Sequence, residues 1–223
     1  LPSPRLENLM VAHLDESPST AQKLLTKGVY SDRSTVDKHV SEKALKILAD
    51  HCGSQGIPLA MFKRFKPSII VMNLTAMELM KLQAGAQNGV DLYYYKMARR
   101  DGKATKGLET VDEQIDYVVN MGKGNEDAFL SHSIKELKSL KKDYEKLLKA
   151  WKAGNEEQMN DLMIKELKET FPKVYAELFV KRNNNWMPAI KGFLKTPEVE
   201  FVIVGAGHLV GPDGIVKALR DAG

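Results

Sequence analysis

Apolar residues recur along most of this chain at helical spacing, with short strand-like stretches between. Ser17-Pro18 reads as an N-cap and first helical residue, opening a helix to about Lys27 that Gly28 ends. Ser41 caps a second helix, predicted to end near Gly53. A third begins at Pro67, and its run from Ile69 to Leu82 is apolar nearly all round, broken only by Asn73, Thr75, Glu78 and Lys81. Such a helix is expected to be sunk in the core, and its charges and length argue against a membrane span. Asp91 to Arg100 predicts another helix, stopped by Gly102, and Lys103 to Lys106 a short connector or edge strand. Thr110-Val-Asp-Glu113 is a capping box, which makes Glu109 the last residue before a helix at a strand-to-helix junction.

Between Ile134 and Trp151 the residues Ile134, Leu137, Leu140, Tyr144, Leu147, Leu148 and Trp151 keep helical spacing, and lysines fill many of the other positions. That basic face is expected to be solvated, with an anionic membrane surface or a partner as the alternative. Past Gly154, a helix is predicted over roughly Glu156 to Lys168. Another starts near Pro172, with Val174, Leu178, Arg182 and Trp186 spaced by four. Arg182 thereby falls in line with apolar positions. A guanidinium there needs a carboxylate or an anionic ligand, because breaking a buried pair costs about 3 to 5 kcal/mol. The alternative is that the helix ends at the Asn183 to Asn185 run and Arg182 faces water. Pro188 predicts a kink or a new start.

The other strand-like run is Val199-Glu-Phe-Val-Ile-Val-Gly-Ala-Gly-His-Leu-Val-Gly211, a β-branched stretch emptying into glycines that carry His208. In open α/β sheets this is how a functional group reaches the carboxyl edge of the strands, where ligands bind. Read as a dinucleotide fingerprint, Gly205, Gly207 and Gly211 need a full helix, a second strand and an acidic residue about 20 positions on. The chain ends at Gly223, so that reading loses on length. The remaining readings are a structural loop histidine, or glycines that let backbone come close while the imidazole does chemistry or binds metal.

At 223 residues with 43% apolar content, the chain is long enough for a sizeable core. Its 33 basic and 29 acidic residues leave a net charge of +4, too small an excess to call for nucleic acid. Cys52 is the single cysteine, which excludes an intrachain disulfide and a cysteine metal cluster. The chain opens on Leu1 and not on methionine, as a processed or trimmed product would.

Three motifs, Gly107-Leu-Glu-Thr-Val-Asp-Glu-Gln114, Arg182-Asn-Asn-Asn-Trp186 and Val204-Gly-Ala-Gly-His-Leu-Val-Gly211, resemble in order and spacing the TraB/GumN family. Lys66-Pro67 and Gly89-Val-Asp91 extend the likeness, which runs from about Ser17 to the end. That family is similar in turn to the Tiki metalloproteases and, more distantly, to erythromycin esterase and the haem-binding ChaN proteins. The resemblance implies an α/β core with helical insertions and a site of two Gly-x-x-His motifs, a glutamate and an arginine. Gly205-Ala-Gly-His208 matches the second histidine motif, Glu109 the glutamate and Arg182 the arginine. The first histidine motif has no counterpart here, and His13, in Val11-Ala-His-Leu-Asp15, lacks the glycine. Relatives place a strand ending in acidic residues near Glu7 to Ser17, where this chain keeps Asp15 and Glu16. His39, His51 and His132 are expected to be surface residues.

The expectation is therefore a helix-rich α/β domain with a small central sheet and a helical insertion over 113–188. Its function is expected to be metal-dependent hydrolysis, of peptidase or esterase type. His208 and Glu109 would ligate a manganese, cobalt or zinc ion, and Glu109 is alternatively the general base. Arg182 would hold Glu109 charged or stabilise an oxyanion. Gly205, Gly207 and Trp186 would contact substrate. A peptide or small-molecule ligand, no nucleic acid and an exported or envelope location follow from the same resemblance. A non-catalytic protein sequestering a small peptide, lipid or haem-like ligand is the competing expectation. It would use the Ile69 to Leu82 helix and the Tyr93 to Tyr95 cluster as pocket walls.

Overall fold

The structure, a computed structural model, describes residues 17–84 and 89–223 together with the backbone of residues 8–11. His13, Asp15 and Glu16 lie outside the described residues. In chain order the first elements are β1 (Asn8–Val11), α1 (Pro18–Gly28), α2 (Glu42–Ser54), α3 (Pro67–Lys81), α4 (Val90–Arg100) and β2 (Ala104–Lys106). Helices α5 (Val111–Val119), α6 (Glu126–Glu136) and α7 (Leu140–Ala153) follow. Then come α8 (Glu156–Asn160), α9 (Glu166–Thr170), α10 (Pro172–Tyr175), α11 (Lys181–Phe193), β3 (Glu200–Ile203) and α12 (Ile215–Arg220). A π-helical turn, Asp161–Lys165, joins α8 to α9, and a second, Ala176–Val180, joins α10 to α11.

The protein is helix-rich, and among the described residues three short strands form one parallel sheet in the order β2-β1-β3. Met10 pairs with Lys106 on one side, and Val11 with Ile203 on the other. Because all three strands run the same way, their carboxyl ends share one edge. The chain leaves that edge at Gly107 and again at Val204.

Contacts within the chain group its residues into two units. The first takes the described residues of 1–14, 85–110 and 147–223, and the second those of 15–84 and 111–146. The stretch expected as a helical insertion over 113–188 is shared between them. In the first unit Trp186, Met187, Ile190, Val204 and Ile215 form one core cluster, and Ala150, Met159, Ile164, Tyr175 and Val210 another. Tyr94 packs edge-on against Phe201, with ring centroids 5.1 Å apart, while Tyr93 stays 61% exposed. In the second unit a single cluster joins Val36, Leu48, Phe62, Ile70, Leu74, Leu130 and Ile134.

The caps predicted at Ser17 and Ser41 are in place. Ser17 accepts from the Thr20 amide and Ser41 from the Ala44 amide. Three expectations need correction. Helix α3 is not sunk along its length: its buried residues are Pro67, Ser68, Ile69, Ile70 and Leu74, and Met80 is 70% exposed. Only its first turns enter the core, so the apolar residues beyond them stay at the surface. The stripe from Ile134 to Trp151 belongs to two helices. The Ser139 hydroxyl and amide both turn back onto the Glu136 carbonyl, ending α6, and the Ser139 carbonyl accepts from Asp143 to begin α7. The stripe serves two cores, Ile134, Leu137 and Leu140 in the second unit and Leu147 and Ala150 in the first. Finally, α11 continues through Pro188, so no new helix starts there. The carbonyl that proline strips of its donor is that of the exposed Asn184, within reach of water.

Candidate functional site

Glu109 is delivered by a tight turn at the end of β2. A Cβ on Gly107 would lie 2.7 Å from the Glu109 carbonyl oxygen, so the turn requires glycine. The Glu109 carboxylate then points inward, its side chain only 4% exposed.

Arg182 comes from the first turn of α11, directly after the π turn Ala176–Val180. Its guanidinium grips Glu109 with two parallel bonds, Nε to Oε2 at 3.0 Å and Nη2 to Oε1 at 2.6 Å. Nη1 donates to the Leu178 carbonyl at 3.2 Å and meets His208 Nε2 at 3.1 Å. The guanidinium carbon also stands 4.9 Å from the centre of the Trp186 ring. Arg182 thus has the carboxylate its place on the apolar stripe demanded. The helix does not stop at the asparagines.

His208 closes a short turn after β3, Ala206–His208, and is 6% exposed. Its Nδ1 lies 2.7 Å from Asn183 Oδ1. The Asn183 amide is oriented by its other end, since Nδ2 donates to the carbonyls of His208 at 3.2 Å and Asp213 at 2.8 Å. Oδ1 therefore accepts, Nδ1 carries the proton, and the lone pair sits on Nε2 facing Arg182. Burial, and then the positive charge of Arg182, push the His208 pKa down to about 3. The imidazole is neutral, in the Nδ1-H tautomer.

Around this row the walls are aromatic. Phe179 lies 4.9 Å and Trp186 4.6 Å from the His208 ring, centroid to centroid. Gly207 is there because of Phe179: a Cβ at 207 would come within 2.7 Å of its Cε1. Gly205 meets no such demand, its nearest neighbour being His208 Cδ2 at 3.7 Å. Trp186 is 1% exposed, which leaves a substrate nothing to touch, and its contribution is to pack His208 and Arg182. Behind Asn183, the Tyr175 hydroxyl donates to Asp213 Oδ2 at 2.7 Å, and Lys168 does so at 3.0 Å. The Tyr175 bond, with Lys168 helping against burial, holds the Asp213 carboxyl below its usual range.

Sequence reasoning thus identified Glu109, Arg182 and His208, which the fold brings into one hydrogen-bonded row. It passed over Asn183, Tyr175 and Asp213. Asn183 had a readable signal, since it neighbours Arg182 in the same motif. Tyr175 and Asp213 had none, because their pairing spans 38 residues. Of the other histidines, His39 is exposed and stacks on Tyr30 at 3.7 Å, whereas His51 is partly buried with its Nε2 unpartnered.

The donor set bears on whether a divalent ion fits this row. Asn183 orients the imidazole as outer partners of metal-bound histidines do, and the metallatable lone pair is on Nε2. That lone pair, and both Glu109 oxygens, are however engaged by one guanidinium, which supplies the positive charge an ion would bring. Among the described residues, His208 and Glu109 also fall short of the three protein ligands of a catalytic zinc site. In this arrangement the row fits an arginine bridge and not an ion.

Neither the comparison with curated proteins nor that with solved structures finds a match. Among known families, the model of TraB/PrgY/gumN matches residues 7–223. With the match covering nearly the whole of it, and with the glutamate, arginine and histidine motifs meeting in space, the chain belongs to the TraB/PrgY/gumN family.

Proposed function

We propose that the protein is a hydrolase of amide or ester bonds, acting at the carboxyl edge of its sheet on a peptide or small-molecule substrate. The observation that carries this reading is the convergence of Glu109, Arg182 and His208, from three distant segments, into one row at that edge. Glu109 is the general base, taking a proton from water as the water attacks the substrate carbonyl. Of the two roles open to Arg182, the geometry favours the counter-charge. Nε and Nη2 are both spent on Glu109, which orients that carboxylate and sets a positive charge beside it. His208, neutral, accepts from Nη1 and fixes the far end of the fork. No step is routed through a metal. The family resemblance further supports an α/β core of the erythromycin esterase and ChaN kind and an envelope location.

Hydrolysis of peptide and carboxylic ester panels tests the proposal. Replacing Glu109 by Gln should lower kcat/KM by about 10²–10⁴, the span a positioned base supplies. Arg182→Lys should retain partial activity, since it keeps the charge and loses only the fork. Parent-level turnover by Glu109→Gln would remove catalysis by that residue.

One observation favours a second reading, a ligand-sequestering protein without turnover: the row is closed on itself, with Glu109 4% and Arg182 17% exposed at their side chains. That reading predicts saturable ligand uptake with no product, unchanged in Glu109→Gln. Stoichiometric manganese, cobalt or zinc that disappears in His208→Ala would instead show that Arg182 yields Nε2 to an ion.

A further inference from the structure

In the second unit, a cavity of about 160 Å³ is lined by Tyr30, Lys66, Ser68, Lys123 and Glu126 among its residues. Two lysines line this wall, and neither forms an ion pair with a carboxylate among the described residues. The acid that acts on Lys66, Asp116, is already held by Lys27 at 2.8 Å. Burial and the charge of Lys123 push Lys66 below its ordinary value, against the pull of Asp116. Lys66 is also the N-cap of α3, so the positive end of a 15-residue helix adds to the same corner. The Tyr30 hydroxyl is buried without a hydrogen-bond partner. Burial, with Glu126 and Asp32 behind it, pushes its pKa up to about 12, so it adds no negative charge to the wall. Glu126 is the one carboxylate on the wall, and it accepts from the Gly124 amide at 2.9 Å. Two uncompensated cations beside a helix N-terminus make a site for a multiply charged oxyanion.

We propose that this cavity binds a phosphate group, free or esterified on a small molecule, between Lys66 and Lys123. A phosphate spans both cations with several oxygens and brings up to two charges to them. It relieves the lysine repulsion that a carboxylate would relieve only in part. The site is independent of the Glu109 row and stands whether or not that row is hydrolytic.

Calorimetric titration of the whole chain with inorganic phosphate at low ionic strength tests it. One saturable site is expected, weakened about tenfold in Lys66→Met and again in Lys123→Met, the loss of one charge-assisted bond each. Lys123 is exposed, so its replacement leaves the core intact. Glu126→Gln should tighten binding about threefold by removing the one repelling charge. Glycerol phosphate binding as well as inorganic phosphate identifies an esterified ligand, and its exclusion identifies free phosphate. Acetate matching phosphate, or equal affinity in parent and both lysine variants, overturns the proposal.

Discussion

Arg182 shows how one residue sets the chemistry of its neighbours. Its five donors are a planar fork, and two of them match the two oxygens of Glu109, which makes burial of that carboxylate tolerable. Removing the partner of such a pair costs about 3–5 kcal/mol, far more than an exposed ion pair contributes. The same cation faces His208, which also lies in a low-dielectric pocket, and both effects act against its protonation. The consequence is readable in pH. An unfolded His208 binds a proton near its ordinary value of 6.5, while the folded one does so only at about 3. Between those values the unfolded chain holds the extra proton, so acidification favours unfolding. Parent stability should therefore fall from pH 6.5 toward 3 more steeply than that of His208→Gln, by up to about 1.4 kcal/mol per pH unit. Denaturant unfolding at several pH values measures this. Parallel stability curves for the two proteins would show that His208 protonates normally when folded.

At the scale of the element, the turns that interrupt regular structure do the positioning. Val174, Leu178, Arg182 and Trp186 recur every four residues, a spacing that drifts about 40° per step around a regular α-helix. The π turn Ala176–Val180 widens that stretch by one residue per turn, and Arg182 and Trp186 both reach His208. Phe179, carried on the same π turn, packs over Gly207 and the His208 ring. The two glycines before His208 should therefore differ. Gly207→Ala forces Phe179 aside and should cost about 1–3 kcal/mol, as overpacking does. Gly205→Ala makes only ordinary contact and should stay within about 0.5 kcal/mol of the parent. Equal losses at both positions in thermal or denaturant melts would contradict this account of the motif.

For the molecule as a whole, the candidate site lies within the first unit, and the second has a core of its own. Leu130 is fully buried in that second core, and Leu130→Ala should cost about 2–5 kcal/mol. The ¹⁵N shifts of the His208 ring should nevertheless keep their neutral, Nδ1-H signature wherever the variant remains folded. A change of tautomer in Leu130→Ala would tie the row to the second core. Much of this organisation was legible along the chain. The caps at Ser17 and Ser41, the helix stop at Gly102, the strand before His208 and the edge strand after Gly102 follow from periodicity and from residues acting on their own neighbours. So did the candidacy of Glu109, Arg182 and His208, through motif order. Local rules could not show that Ser139 splits one apolar stripe into two helices, that α3 buries only its first turns, or that α11 runs through Pro188. Those outcomes depend on which surfaces meet. Nor could they show that Arg182 stands between Glu109 and His208 with every facing lone pair engaged, because hydrogen bonds across 73 and 26 residues exist only once the sheet has aligned its carboxyl ends. Sequence determined which groups were available, through short-range sterics and hydrogen bonding. Tertiary structure alone decided that a guanidinium lies between the carboxylate and the imidazole, because that depends on long-range packing.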